Sequence, residues 1–241
     1  MSGLSKIEWT ESTWNPVTGC TKVSSGCKNC YAERMTARLK HMGLEKYANG
    51  FDVTLHGECL NDPYKWKKPS TIFVNSMSDI YHSEVPLEFI QKIFTTMNEN
   101  PQHTFQLLTK RPERMAELAS ELNWTPNIWQ GVSVENEKHA DRITLLKEVP
   151  AQIRFISFEP LIGCVGSIEL DGIDWAIVGG ESGPHSRPIE SDWVLNIKKQ
   201  CEDQGVLFNF KQWGGFNKKK TGRNLLGRTW DAIPSREPIA V

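Results

Sequence analysis

No apolar run in this 241-residue chain approaches the roughly 20 consecutive residues that a membrane span requires. The segment Met1-Ser2-Gly3-Leu4-Ser5-Lys6 carries no apolar core of the kind a secretory leader needs. Both absences point to the cytoplasm and away from a membrane partner. A surplus of one charge is missing too. The 28 Lys and Arg face 29 Asp and Glu, for a net charge of −1. Nothing therefore draws the whole surface to nucleic acid, and such a partner needs a local basic patch. A cytoplasmic setting keeps thiols reduced, so clustered cysteines read as metal or redox chemistry rather than as disulfides. Of six cysteines, Cys59, Cys164 and Cys201 are scattered and read as small packing or surface residues.

What is present is ordinary in bulk and unusual in one place. Hydrophobic residues make up 39% and charged residues 24%, enough for a core without staples. The unusual stretch is Asn15-Pro16-Val17-Thr18-Gly19-Cys20, then Cys27-Lys28-Asn29-Cys30-Tyr31-Ala32-Glu33. Cys20, Cys27 and Cys30 follow a C-x6-C-x2-C spacing on one short loop, which lets three thiolates wrap one metal centre. Three readings stand. An iron–sulfur cluster on three thiolates keeps one iron open to a small molecule. A structural zinc needs a fourth ligand, for which Cys59, His41, His56 and His82 are candidates. Unligated thiols are the third.

The rest of the chain repeats a unit of short apolar run, polar residues, then helical spacing. The first strand is expected within Lys6–Trp14. A helix is expected over Tyr31–Met42, with Gly43 as its stop. Residues 45–70 read as a long insertion with one short strand at Val53–Leu55. Further strands are expected at Thr71–Val74, Phe105–Leu108, Ile128–Val132, Arg154–Ile156, Trp175–Val178 and Leu207–Phe210. The helices between them are expected over 86–98, 112–122, 138–147 and 191–204. Alternation of this kind implies an α/β fold with parallel strands and right-handed crossovers. About seven strands suggest a single TIM-like (β/α) barrel domain, closed or partial, with an open doubly wound sheet as the alternative. Residues 216–241 read as a C-terminal extension packed on the barrel.

In a parallel barrel the functional residues follow the strands. Here Asn75, Ser76 and Asp79, then Lys110, Ser133, Glu135, Glu159, Gly179, Gly180, Glu181, Lys211 and Trp213 all sit just after an apolar run. Each alone is an ordinary loop or cap residue. As a ring on one rim, with the three cysteines, they read as an active site. His185 and Arg187 follow the Gly-Gly-Glu turn and suit an anion.

Several stretches together carry a resemblance: Trp14–Cys20, Cys27–Ala32, Val74–Asp79, Leu108–Arg111, Gly131–Glu135, Phe158–Pro160, Gly179–Gly183 and Phe210–Gly214. By them the chain resembles a phage-associated three-cysteine-motif family of unassigned function. The cysteine loop after a first strand also resembles that of radical S-adenosylmethionine enzymes. The six-residue first gap is longer than that superfamily's. Its Gly-Gly-Glu element follows the second strand, whereas Gly179-Gly180-Glu181 comes late. The resemblance implies a 4Fe-4S cluster on Cys20, Cys27 and Cys30, with S-adenosylmethionine chelating the open iron. It implies amino-group binding by Asn75, Ser76 or Asp79, and a cation for the carboxylate at Lys110 or Arg111. Ser133 and Glu135 match the ribose-binding region, and Gly179 and Gly180 leave room for adenine. An external electron donor and a 5′-deoxyadenosyl radical complete the implied activity. Glu159, Glu181 and Lys211 are then catalytic candidates, with Trp213 and Arg187 on the substrate.

Two function classes follow. One is an enzyme acting on a small molecule, a nucleotide or a nucleic-acid base. The other is a non-catalytic, metal-stabilised nucleic-acid-binding or accessory protein. Lys65-Trp66-Lys67-Lys68 and Asn217-Lys218-Lys219-Lys220-Thr221-Gly222-Arg223 mix cations with nearby aromatics, as phosphates and stacked bases require. Solvated basic loops are the plainer reading of both.

Overall fold

Seven parallel strands form one curled half-barrel sheet. The structure is a computed structural model and describes residues 7–235. The leader reading of Met1–Lys6 lies outside them, as does the tail from residue 236. In chain order, β1 is Ser12–Trp14, and β2 (Val17–Thr18) pairs antiparallel with β3 (Thr54–Leu55) beside the main sheet. Helix α1 is Tyr31–His41. Then come β4 (Thr71–Val74), α2 (Leu87–Asn98), β5 (Thr104–Thr109), α3 (Pro112–Leu118), β6 (Ile128–Ser133) and α4 (Arg142–Lys147). The series ends with β7 (Ile153–Phe158), β8 (Trp175–Gly179), α5 (Ser191–Asp203), β9 (Leu207–Gln212) and α6 (Lys218–Thr221).

The sheet order is β1-β4-β5-β6-β7-β8-β9, so chain order is sheet order. A doubly wound sheet reverses direction at a switch point; this one never does, which removes that alternative. Among the described residues β1 and β9 are not paired with each other, so the barrel is partial.

The two faces of the sheet differ. The outer face presents Ile72, Val74, Phe105, Leu107, Val132, Ile156, Phe158, Val178 and Phe210 to the helices. Helix α2 meets it with Ile90, Ile93, Phe94 and Met97, spaced three and four apart, as one buried helical stripe requires. The inner face has its own cluster of Trp9, Trp129, Phe155, Trp175 and Ile177.

Differences from the expected elements have local causes. The first strand is only Ser12–Trp14, because the chain turns back at Ile7–Thr10 and Trp9 enters the inner face. The helix expected over 112–122 ends at Leu118 and continues as a 3-10 turn, Ala119–Glu121. The helix expected from 138 splits into a 3-10 turn, Glu137–His139, and α4. Asn136 accepts from the Lys138 N–H at 3.1 Å, and the Glu137 N–H is spent on Cys164 O at 2.8 Å. The loop from β7 to β8 buries Leu161, Val165, Ile168 and Leu170 in place of a helix. Its Ile168 and Leu170 amides donate to Gln200 and Gln204 of α5, which satisfies backbone groups that no helix serves.

After β9 the chain returns across its edge. Asp231 bridges Asn209 antiparallel, and Phe210 N donates to Trp230 O at 2.8 Å. An uncovered edge would offer its free N–H and C=O groups to another strand. No helix among the described residues is long and apolar enough to cross a membrane.

Candidate functional site

Strand register stacks the inner face in layers. In the lowest, Phe73, Gln106 and Trp129 lie side by side with Ile153. Above it Gly131, Phe155 and Trp175 align with Leu207. Trp9 lies 4.8 Å from Phe73 and 6.1 Å from Trp175, ring centre to ring centre, and completes an aromatic floor. A Cβ on Gly131 would stand 2.5 Å from the Phe155 ring. The glycine is what admits that ring.

The next layer is polar. Ser133, Ser157, Ile177 and Asn209 are in register. Ser133 Oγ, Ser157 Oγ and Asn209 Oδ1 are buried and have no hydrogen-bond partner. Gln106 in the floor leaves both amide atoms unpartnered. Buried polar atoms are nearly always paired, so orphans sharing one concave face mark the place where a ligand or ordered water completes them.

Charged residues form the rim. Lys211 donates to Glu159 Oε2 at 2.7 Å, while Glu159 Oε1 is buried without a partner. Glu135 is fully buried and accepts from Arg142 at 3.1 Å and from Ser24 Oγ at 2.6 Å. Lys110 Nζ and His139 Nε2 both stand 3.9 Å from it. Asp79, also buried, accepts from Thr109 Oγ1 at 2.8 Å, Lys110 N at 3.0 Å and Tyr81 N at 3.1 Å. It thereby joins the ends of β4 and β5.

The cysteine loop is fastened to this rim from several sides. Beside the first thiol, Arg111 donates to Thr21 O at 3.0 Å, with its Nη2 3.8 Å from Cys20 Sγ. Ser24, the residue hydrogen-bonded to Glu135, stands 3.8 Å from Cys27 Sγ. A Cβ on Gly26 would stand 2.3 Å from Glu135 Oε1, so only glycine lets the loop close over that carboxylate. Asn29, between the second and third cysteines, donates to Glu181 Oε2 at 2.9 Å. Arg187 grips Glu181 through Nη2 at 2.6 Å and Nε at 3.0 Å, and reaches Ser25 O at 2.9 Å. Burial pushes the Glu181 carboxyl up, but the Arg187 and Asn29 hydrogen bonds outweigh it and hold the group below its ordinary value. From behind, Cys20 N donates to Phe51 O at 3.1 Å, which binds the 45–70 insertion to the loop.

Other expected residues serve local structure. Asn75 takes φ +57° and accepts from Val17 N at 3.2 Å, with its Nδ2 buried and unpartnered. Ser76 donates to Asn15 Oδ1 at 3.2 Å. The close approaches at the glycine pair are made by the protein's own atoms. A Cβ on Gly179 would stand 2.8 Å from Glu159 Oε1, and one on Gly180 2.2 Å from Trp213 O. Trp213 packs on Phe210 and donates to Asn224 O at 2.9 Å. Among the residues given no role from sequence are Ser24, Gly26, Asn29, Arg142, Ser157 and Asn209. Asn209 is a lone polar residue inside the run Leu207–Phe210, Ser157 directly follows the run Arg154–Ile156, and Gly26 and Asn29 adjoin cysteines; Ser24 and Arg142 carry no such signal.

The donor set suits a thiolate-bound cluster. All six cysteines are free, and Cys20, Cys27 and Cys30 are half-buried. Three of the four candidate fourth ligands, His41 apart, are engaged with other groups. His82 shares Nε2 with Thr21 Oγ1 and accepts from Glu84 N at Nδ1. His56 shares Nε2 with Thr18 and sets Nδ1 against Glu58. Cys59 Sγ accepts from Lys46 at 3.1 Å. Burial and then the Asp79 charge push the Cys20 thiol up to about 11, against the pull of Arg111. Among the described residues no three His, Cys, Asp or Glu are drawn into one coordination sphere. The thiols thus share a loop and a mouth, not a finished metal geometry.

The fold has solved counterparts. Spore photoproduct lyase complexed with dinucleoside spore photoproduct is similar with a TM-score of 0.52 at 11% identity, over 83% of this chain and 63% of that one. A cysteine-to-serine mutant of the lyase gives 0.51 at 12% identity, over 86% and 65%. A doubly substituted form with bound AdoMet and dinucleoside spore photoproduct gives 0.51 at 10% identity, over 83% and 63%. The chain thus spans under two thirds of these lyase chains, and what they share with it is the fold. No curated protein matches the sequence. A family model described as "Protein of unknown function (DUF5131)" matches residues 4–234, and the chain belongs to that family.

Proposed function

We propose that this protein is a radical S-adenosylmethionine enzyme acting on a nucleotide or a nucleic-acid base. The observation that carries the reading is the docking of a three-cysteine loop onto the strand-end rim of a parallel half-barrel, through Arg111, Glu135 and the Glu181–Arg187 pair. Cys20, Cys27 and Cys30 would hold the 4Fe-4S cluster. When bound, the cluster and S-adenosylmethionine, with an external electron donor, supply a 5′-deoxyadenosyl radical for hydrogen abstraction.

The chain's own residues bind, orient and exclude water. Ser133, Ser157 and Asn209 offer their unpartnered atoms to hydroxyl or amide groups of the bound molecules. The aromatic floor keeps water from below. Lys211, already paired with Glu159, is placed to hold a proton at Nζ over the polar layer. Glu181 and Arg187 act as positioning residues for the loop, and Asp79 holds Lys110 and Thr109 in place beside it.

The test is purification without oxygen, iron analysis, and incubation with S-adenosylmethionine and a strong reductant. Formation of 5′-deoxyadenosine that disappears in Cys20→Ala, Cys27→Ala and Cys30→Ala is the expected result. Stoichiometric zinc with no iron uptake on reconstitution would overturn the reading and leave a metal-stabilised binding protein.

A further inference from the structure

From Tyr31, the residue after Cys30, the surface along α1 is hollowed into a groove of about 390 Å³. Helix α1 supplies Tyr31, Arg34, Met35 and Arg38 to one wall; Phe216 and Lys218, after β9, face them across the loop that follows β8. No carboxylate lines it. Tyr31 is 61% exposed and Phe216 81%, although burying such rings is favourable. Arg34 ties the groove to the site by donating to Ser182 O at 3.0 Å and Pro184 O at 3.2 Å, within the loop that carries Glu181 and Arg187. Gly183 permits this approach, since a Cβ there would stand 2.8 Å from Arg34 Nη2.

We propose that this groove binds a single strand of nucleic acid, with bases stacked on Phe216 and Tyr31 and phosphates against Arg38 and Lys218. Two exposed rings from distant parts of the chain and three cations, Arg34, Arg38 and Lys218, in one concavity match what a single strand presents, flat faces joined by regularly spaced negative charge. Lys219 and Lys220 follow Lys218 on α6 and are exposed. Lys218 pairs with Glu8 at 2.9 Å, and a phosphate competes with that carboxylate for it. Against a whole-chain net charge of −1 the groove is a local excursion, as a protein without general affinity for polyanions needs. The strand's role as substrate carrier rests on the radical-enzyme reading; its binding does not. An acidic protein partner would also satisfy the cations, but gives no use for the two rings.

The test is anisotropy of a short fluorescein-labelled mixed-sequence oligonucleotide with the full chain, in DNA and RNA forms, against polyglutamate. Phe216→Ala is expected to weaken oligonucleotide binding by about tenfold, the loss typical of one stacked base. Arg38→Ala is expected to reduce the salt slope by about one phosphate contact. Gly183→Ala is expected to weaken binding by shifting Arg34, while Lys92→Ala, exposed on α2, changes nothing. The DNA and RNA arms tell which polymer is preferred. Absence of binding overturns the proposal, as does binding unaffected by Phe216→Ala. Polyglutamate binding as tight as the oligonucleotide's, with the same indifference to Phe216, assigns the groove to an acidic protein. Oligonucleotide binding without 5′-deoxyadenosine formation leaves the groove standing and removes the radical reading; cleavage without binding does the reverse.

Discussion

Asn29 Nδ2 donates to Glu181 Oε2 at 2.9 Å across 152 residues of sequence, and this bond places the turn between Cys27 and Cys30 under the control of the loop after β8. Arg187 closes the arrangement by bonding both Glu181 and the carbonyl of Ser25. The cysteine loop is therefore a product of the finished barrel rather than a self-contained knuckle.

Glu181→Gln is expected to lower stability by about 1–3 kcal/mol, since it leaves the Arg187 charge without its partner. Its pH dependence follows from the lowered carboxyl pKa. A group whose folded-state pKa lies below the unfolded one stabilises above the unfolded value, and that share is lost as pH falls through the folded value. The wild type should lose stability on acidification more steeply than Glu181→Gln. Urea titrations at several acidic pH values check this, and parallel slopes would refute it.

Glu135→Ala should be more damaging. Its carboxylate and Arg142 are both buried, so removing one strands the other, at a cost of about 3–5 kcal/mol. Gly26→Ala should mimic part of the defect, because the new Cβ meets the carboxylate. Thermal denaturation of both variants is the measurement. An unchanged midpoint for Glu135→Ala is inconsistent with the pairing described.

Ser157→Ala should behave in the opposite sense. Its hydroxyl has no partner, so its loss is expected to be neutral or slightly stabilising in the free protein. S-adenosylmethionine or substrate binding should weaken, by about 1 kcal/mol for a lost neutral hydrogen bond. Calorimetry of binding beside denaturant curves separates the two effects. A marked loss of stability would mean that the hydroxyl is used structurally.

Thiol chemistry gives an independent check on packing. Cys164 is exposed, whereas Cys201 is buried in α5 with its thiol pushed up to about 12 by burial and by Glu202. Alkylation of the native protein at mildly alkaline pH should modify Cys164 quickly and leave Cys201 untouched until unfolding. Mass spectrometry of the labelled peptides reads the order directly.

These variants also show what could be read in advance. The apolar runs and helical spacing gave every strand of the main sheet, because parallel strands buried on both faces declare themselves as continuous hydrophobic stretches. That Ser133, Glu135, Glu159 and Lys211 stand at or just past strand ends was legible for the same reason. Their partners were not. Glu135 meets Ser24 at a separation of 111 residues, and no local pattern encodes such a meeting. The Gly179-Gly180 pair looked like an opening for a ligand, yet its space is taken by Glu159 and Trp213, a choice made only when β8 and β9 pack. The brevity of β1 was hidden too, since Trp9 reads as a strand residue until the inner face offers it a place.

A closed barrel of eight strands has a bore fixed by its own arithmetic, just wide enough for side chains to fill. A sheet of seven strands whose margins, among the described residues, are not paired with each other is free of that rule. Closure does not set its width, so the span between β1 and β9 is decided by what packs on each margin, as Asp231 and Trp230 do at β9. On the proposed function, a residue within a long polymer would be laid against such a sheet rather than threaded through a closed ring.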